Sequence, residues 1–227
     1  MAFLLHIESS STVCSVALSD NLEVIAFREL NNGYTHAENM HVFINDVLRD
    51  AGIKPSQLSA VSVSSGPGSY TGLRIGFSTA KGLAYALHIP LIIVDTLKAL
   101  AGVAIGHQST AECLYCPMMD ARRMEVYTAL YTHELEAIKL PQALVLTEES
   151  IAGFANLKPI CFFGDGMPKG RALLESIPHA RFTEDITAGA KAMVAMAYSQ
   201  YTAQDFADVA YAEPFYLKEF FFTVSKK

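Results

Sequence analysis

The chain has 227 residues, 51% hydrophobic and 18% charged, which excludes a disordered polypeptide and allows one large domain or two smaller lobes. Its net charge is −6, with 17 basic against 23 acidic residues and no basic cluster longer than Arg122 and Arg123 apart from the terminal Lys226 and Lys227. A protein that grips nucleic acid unaided needs a basic surplus, so any such role depends on a partner. No apolar run reaches the ~18 residues of a membrane span, and MAFLLHIESSS lacks the basic region of a signal peptide, so the expected location is the cytoplasm.

Residues 3–8, 13–18 and 22–30 read as three strands, the last two joined by the turn Ser19-Asp20-Asn21. After the polar hinge Asn31-Asn32-Gly33, residues 35–51 place Met40, Phe43, Ile44, Val47, Leu48 and Ala51 at helical spacing. Thr35 or the preceding loop caps this helix and Gly52 ends it. A fourth strand covers 58–64, a second helix about 71–87, a fifth strand 90–94, and a third helix 95–105 capped by Asp95 or Thr96. The polar stretch 106–111 reads as a link between lobes.

In the second half, 114–119 and 125–131 form a hairpin, followed by a strand near 136–145 and a helix near 148–154. A strand at 159–163, the tight turn Gly164-Asp165-Gly166, a helix near 169–176 and an alanine-rich helix at 188–201 complete the pattern. The tail from Glu213 to Lys227 is aromatic, and it is expected to dock on the body through the cluster Phe220, Phe221 and Phe222. This order predicts α/β lobes with mixed sheets rather than plain Rossmann alternation, divided at 1–105 and 106–227 with the second lobe smaller.

Residues 64–81, SSGPGSYTGLRIGFSTAK, carry the most information. A buried strand runs into Gly66, Pro67 and Gly68, and Ser69, Tyr70 and Thr71 stand where a helix begins. A glycine turn before a helix N-terminus suits a phosphate, but it equally suits ordinary strand-to-helix turn chemistry. Neither standard nucleotide fingerprint is present, and Lys81 lies about two turns down the helix, too far for a P-loop lysine. Cys113 and Cys116 form a C-x-x-C inside an apolar run; with no second pair following, buried reduced thiols are expected rather than zinc.

HIESSSTVCSVAL at the start, HAENMHVFINDVL in the first helix, SSGPGSYTGLRIGFSTAKGLAYALHIPLIIVDTLKALA, DARRMEVYTALY and FFGDG together resemble the TsaB family, an actin-like (ASKHA, RNase H-like) branch of the Gcp/M22 glycoprotease-like proteins. The resemblance runs nearly end to end. It implies a two-lobed actin-like α/β fold and a non-catalytic scaffold subunit. The implied partner is the related catalytic subunit TsaD, which transfers a threonylcarbamoyl group from an adenylate to N6 of adenosine 37 in tRNA. The ATPase TsaE completes the assembly, and a homodimer forms when TsaD is absent. On this reading no cofactor is required, there is room for weak ATP or ADP binding, and tRNA is met only through the complex.

Catalytic relatives carry an H-x-x-x-H metal pair on the first helix, whereas here His36 and His41 are five apart, about 140° around a helix. A capping or packing role is therefore expected for His36, and no metal ligand. The resemblance points to Glu8, Ser9, Gly66, Gly68, Gly164 and Asp165 as the residues around a nucleotide, if one binds. Asp165 takes the place of the relatives' asparagine, so a turn-stabilising role competes with magnesium binding. Arg122 and Arg123 stand between a solvated turn and an anion contact, Arg74 is expected to pair with an acid, and His6 to be a satisfied core residue. Helices one and two are implied as the pairing surface, through Met40, Phe43, Val47, Gly72, Gly76 and Ala80, where small residues at every fourth position admit another helix. The rival readings are an ATPase or kinase-like phosphotransferase using the two glycine turns and, more remotely, a metallopeptidase.

Overall fold

The computed structural model describes residues 1–33, 35–107 and 112–218; Tyr34, part of the expected link and the triplet Phe220, Phe221 and Phe222 lie outside them. The first sheet is built from β1 (Phe3–Glu8), β2 (Cys14–Asp20), β3 (Glu23–Leu30), β4 (Leu58–Ser64) and β5 (Leu91–Val94), in the order β3-β2-β1-β4-β5. The β1–β2 and β2–β3 pairs are antiparallel, whereas β1–β4 and β4–β5 are parallel. The second sheet uses β6 (Leu114–Asp120), β7 (Glu125–Tyr131), β8 (Ala137–Val145), β9 (Ile160–Phe163) and β10 (Arg181–Thr183), in the order β10-β9-β6-β7-β8. An antiparallel meander followed by two parallel crossovers therefore occurs twice, giving the mixed sheets of an actin-like fold.

The central strands of each sheet are buried on both faces, with successive side chains alternating between two cores. From β1, Leu5 and Ile7 pack under α1 (His36–Ala51) and α2 (Tyr70–Leu87), against Met40, Ile44, Phe77 and Ala80. Leu4, Ala60, Ile92 and Val94 face the other way, onto Met193 and Ala197 near the C-terminus. In β6, Tyr115 and Met119 pack on α3 (Thr96–His107), while Cys116 and Met118 face α4 (Glu148–Ala152) and α5 (Met167–Leu174). All four cysteines are buried free thiols, and burial pushes Cys116 up to about 12. No helix among the described residues is long and apolar enough to cross a membrane.

The sequence-level elements stand where expected, with local differences. Gly52 ends α1 in the left-handed conformation, φ +67°, and Asp95 rather than Thr96 caps α3, accepting from Lys98 N at 2.8 Å. The alanine-rich helix begins as a 3-10 turn, Ala190–Met193, before α6 (Val194–Thr202). Helix α5 starts two residues early because Pro168 suits a first helical turn. Strand β10 is missing from the sequence reading: three residues carry no readable alternation. The two sheets follow one another along the chain, with the expected division between 105 and 106 falling inside α3, and the last segment returns, since α6 and the turn before it cover the first sheet.

One polar node lies within that covered face. His6 is fully buried between Ser62 Oγ at 2.7 Å and Ser19 Oγ at 2.9 Å, which makes it the satisfied core histidine expected. Burial lowers its pKa to about 3, so the ring is neutral at any physiological pH.

Candidate functional site

Between the sheets lies a cleft of about 460 Å³, floored by Ser10, Gly68 and Ser69 on one side and by Asp120, Arg122 and Asp165 on the other. Its first wall is two interlocked loops. Gly68 sits so close to the β1–β2 loop that a Cβ would lie 2.2 Å from Ser10 O, and Ser69 N donates to that same carbonyl at 2.6 Å. Gly72, on the first turn of α2, would place a Cβ 2.1 Å from Ser9 O. The glycines after β4 are thus required by chain packing, whatever binds beyond them. Ser69 Oγ caps α2, accepting from Gly72 N at 3.2 Å.

Glu8 does not reach the cleft. Its carboxylate is buried and accepts from Ser10 N at 2.6 Å and Ser64 Oγ at 2.9 Å, tying the end of β1 to the end of β4. Burial pushes its pKa above the ordinary carboxylate range, against the pull of those hydrogen bonds. Ser9 and Gly66 also lie off the cleft lining, and of the six residues expected around a nucleotide only Gly68 and Asp165 line it. Among the described residues Ser9 Oγ is buried without a hydrogen-bond partner, whereas the buried Ser10, which lines the cleft, has its hydroxyl near the Glu8 carboxylate. Ser10 and Ser11 adjoin an expected residue, but strand spacing cannot reveal which of three consecutive serines line the cleft.

The second wall is set by Gly164 and Gly166, where a Cβ would lie 2.4 Å from Met118 O and 2.7 Å from Met119 C. Gly164, at φ +103°, is required by packing, since its missing side chain makes room for β6, and it lies off the cleft lining. Asp165 Oδ1 accepts from Asp120 N at 3.0 Å, the turn-stabilising role. Burial first, and the Asp120 carboxylate as well, push its pKa up. Lys169 pairs with Asp120, and Arg122 lines the cleft with its backbone at φ +68°.

His36 also faces the cleft, but its Nε2 lies 3.3 Å from Val13 O and the ring is buried, whereas His41 is exposed on another side of α1. The two imidazoles share no helix face. The named pairing stripe needs a similar correction. Met40, Val47, Gly72, Gly76 and Ala80 are buried against the chain's own body and Phe43 is half-buried; a Cβ on Gly76 would stand 2.2 Å from Ser9 Oγ. A bulky residue at Gly76 therefore acts on the fold before it can act on pairing. The exposed face of α2 instead carries Arg74, Ser78, Gly82, Tyr85 and Ala86, with Tyr85 75% exposed, and α1 presents Val42 at 51%.

The C-terminal residues in the cleft are Phe215, Tyr216, Leu217 and Lys218. Among the described residues Arg74 pairs with no acid; its guanidinium lies 4.2 Å over the Tyr70 ring, and Nε lies 3.3 Å from Tyr216 Oη.

Residues 32–214 match the family described as TsaD: tRNA N6-adenosine threonylcarbamoyltransferase. The chain is similar to the tRNA threonylcarbamoyladenosine biosynthesis protein TsaB of Bacillus subtilis, 32% identical over 77% of this chain and 76% of that protein. It is also similar to the TsaB protein of Escherichia coli, 34% identical over 60% of this chain and 57% of that one. Among solved structures, YeaZ from Pseudomonas aeruginosa superposes with a TM-score of 0.80 at 26% identity, over 96% of this chain and all of that one. The Acidaminococcus fermentans (R)-2-hydroxyglutaryl-CoA dehydratase component A shares the fold alone, with a TM-score of 0.53 at 10% identity over 90% of this chain and all of that one.

Proposed function

The chain belongs to the TsaB family, and on that footing we propose that it serves tRNA threonylcarbamoylation as a non-catalytic scaffold subunit. In this role it holds a TsaD-type subunit in working form for threonylcarbamoyl transfer to N6 of adenosine 37. A TsaE-type ATPase joins the assembly, tRNA is met through the complex, and the chain pairs with itself when the catalytic partner is absent.

The observation that carries the non-catalytic reading is the placement of His36, buried and turned to a backbone carbonyl, with no second imidazole on its side of α1. A chelate needs both rings on one face. The pairing surface is the outer side of α1 and α2, where Ser78, Gly82 and Ala86 repeat every fourth residue beside Val42 and Tyr85. Small side chains in that register let a second helix approach closely.

Sedimentation of the chain alone and mixed with a TsaD-type protein from the same source tests this directly. The native chain should self-associate and exchange into a mixed complex. Gly82→Phe should lose both associations while its thermal unfolding stays native, because a Cβ at Gly82 meets nothing within 4 Å. Native pairing by Gly82→Phe would rule out this surface.

A second reading concerns the cleft, where Ser11, Gly68 and Ser69 line the space beside the α2 N-terminus and support weak ADP or ATP binding. Hydrolysis is not part of it: Asp165 is committed to the Asp120 amide and Glu8 is sealed behind the loops. Phosphate release by the purified chain should stay at background, and sustained turnover would install the phosphotransferase reading instead.

A further inference from the structure

After α6 the chain runs along the first lobe, where Ala207 N donates to Leu91 O at 2.9 Å. Lys81, on α2, reaches the carbonyls of Ala210 and Ala212 at 3.1 and 2.9 Å. The next residues enter the cleft. Phe215 N donates to Ser65 O at 2.8 Å, and its carbonyl stands where a Cβ on Gly66 would be only 2.9 Å away. Gly66, at φ +98°, thus leaves room for this segment. Tyr216 lies against Tyr70, ring centroids 4.9 Å apart, with its hydroxyl on Arg74. Lys218 then crosses to the second sheet and pairs with Glu125 on β7.

We infer that residues 215–218 form a strap that ties the two lobes across the cleft and must lift from Glu125 before a nucleoside diphosphate can reach Ser10. The anchors are unequal. On the first lobe a backbone hydrogen bond, an aromatic pair and a glycine vacated for the carbonyl act together. On the second lobe the described residues supply one ion pair, with Lys218 40% and Glu125 17% exposed, of the kind that solvent and salt weaken. The strap therefore opens at its Lys218 end and stays docked at Phe215 and Tyr216. It lines the same cleft as Ser10, Arg122 and Asp165, so a ligand seated there meets the closed strap. The gating half of this inference rests on the nucleotide reading above; the tether does not.

The test uses full-length Lys218→Gln, Glu125→Gln and the double variant. Each single change breaks the clasp, but the two alter the local charge in opposite directions. Hydrogen exchange of the peptide holding 215–218, measured without ligand, should quicken about threefold in either variant and no further in the double. ADP affinity, by calorimetry, should rise about threefold in both, since closing the strap no longer competes with binding. Unchanged exchange overturns the tether. Faster exchange with ADP affinities that move in opposite directions, or not at all, overturns the gate. Failure of every variant to bind ADP removes the nucleotide reading and the gate with it, while the exchange comparison still decides the tether.

Discussion

Gly72→Val should destabilise the chain by about 3 kcal/mol or more and lower its melting temperature by roughly 10 °C, whereas Gly82→Ala should match or slightly exceed the native chain. Both glycines lie in α2, ten residues apart. Their surroundings are opposite. A Cβ at Gly72 would lie 2.1 Å from Ser9 O, a backbone atom in a loop already fixed by the Glu8 carboxylate on Ser10 N, so no rotamer relieves the clash. A Cβ at Gly82 meets nothing within 4 Å, and alanine there also lowers the entropy of the unfolded chain. Thermal melts of the two variants decide it. A native-like Gly72→Val would mean that the β1–β2 loop yields freely and that the cleft floor is soft.

The second large effect concerns acid. His6 is neutral in the fold, with a pKa of about 3, against about 6.5 when unfolded. Its contribution is therefore fully present above pH 6.5 and is lost as pH falls toward 3, because the unfolded chain takes up a proton the fold refuses. Between pH 6.5 and pH 4 this amounts to about 3 kcal/mol of lost stability, at about 1.4 kcal/mol per pH unit. Glu8 works the other way: its raised pKa favours the protonated, folded form at low pH and offsets part of the loss. His6→Gln keeps a group able to hydrogen-bond Ser62 and Ser19 but cannot titrate. Denaturant unfolding at stepped pH should show a shallower acid slope in this variant than in the native chain. Equal slopes would assign acid sensitivity to groups other than His6.

Much of this molecule is legible in its sequence because its strands are short, apolar and punctuated by glycine. The alternation at Tyr115, Cys116, Met118 and Met119 becomes two cores on opposite faces of one sheet. The candidate site is legible only as a neighbourhood. A glycine turn announces that something passes close by, but not what: at Gly68 it is Ser10 O, at Gly164 it is Met118 O, and at Gly66 it is the carbonyl of Phe215, 149 positions further on. The α2 stripe of Gly72, Gly76 and Ala80 failed as a surface for the same reason. Small residues mark close approach equally well when the approaching chain is their own, and periodicity carries no sign for inside or outside. Arg74 belongs with these cases, since a tyrosine from the far end of the sequence takes the place of the acid expected beside it.

The return of α6 to the first sheet has a consequence during synthesis. Leu4, Ala60, Ile92 and Val94 leave the ribosome well before the residues that cover them, Met193 and Ala197. The first hundred residues therefore wait with one side of their sheet uncovered, exposed to chaperones and to other nascent chains. A ribosome stalled before residue 190 would display an unfinished layer, because the residues that complete it lie about a hundred positions after the strands they cover.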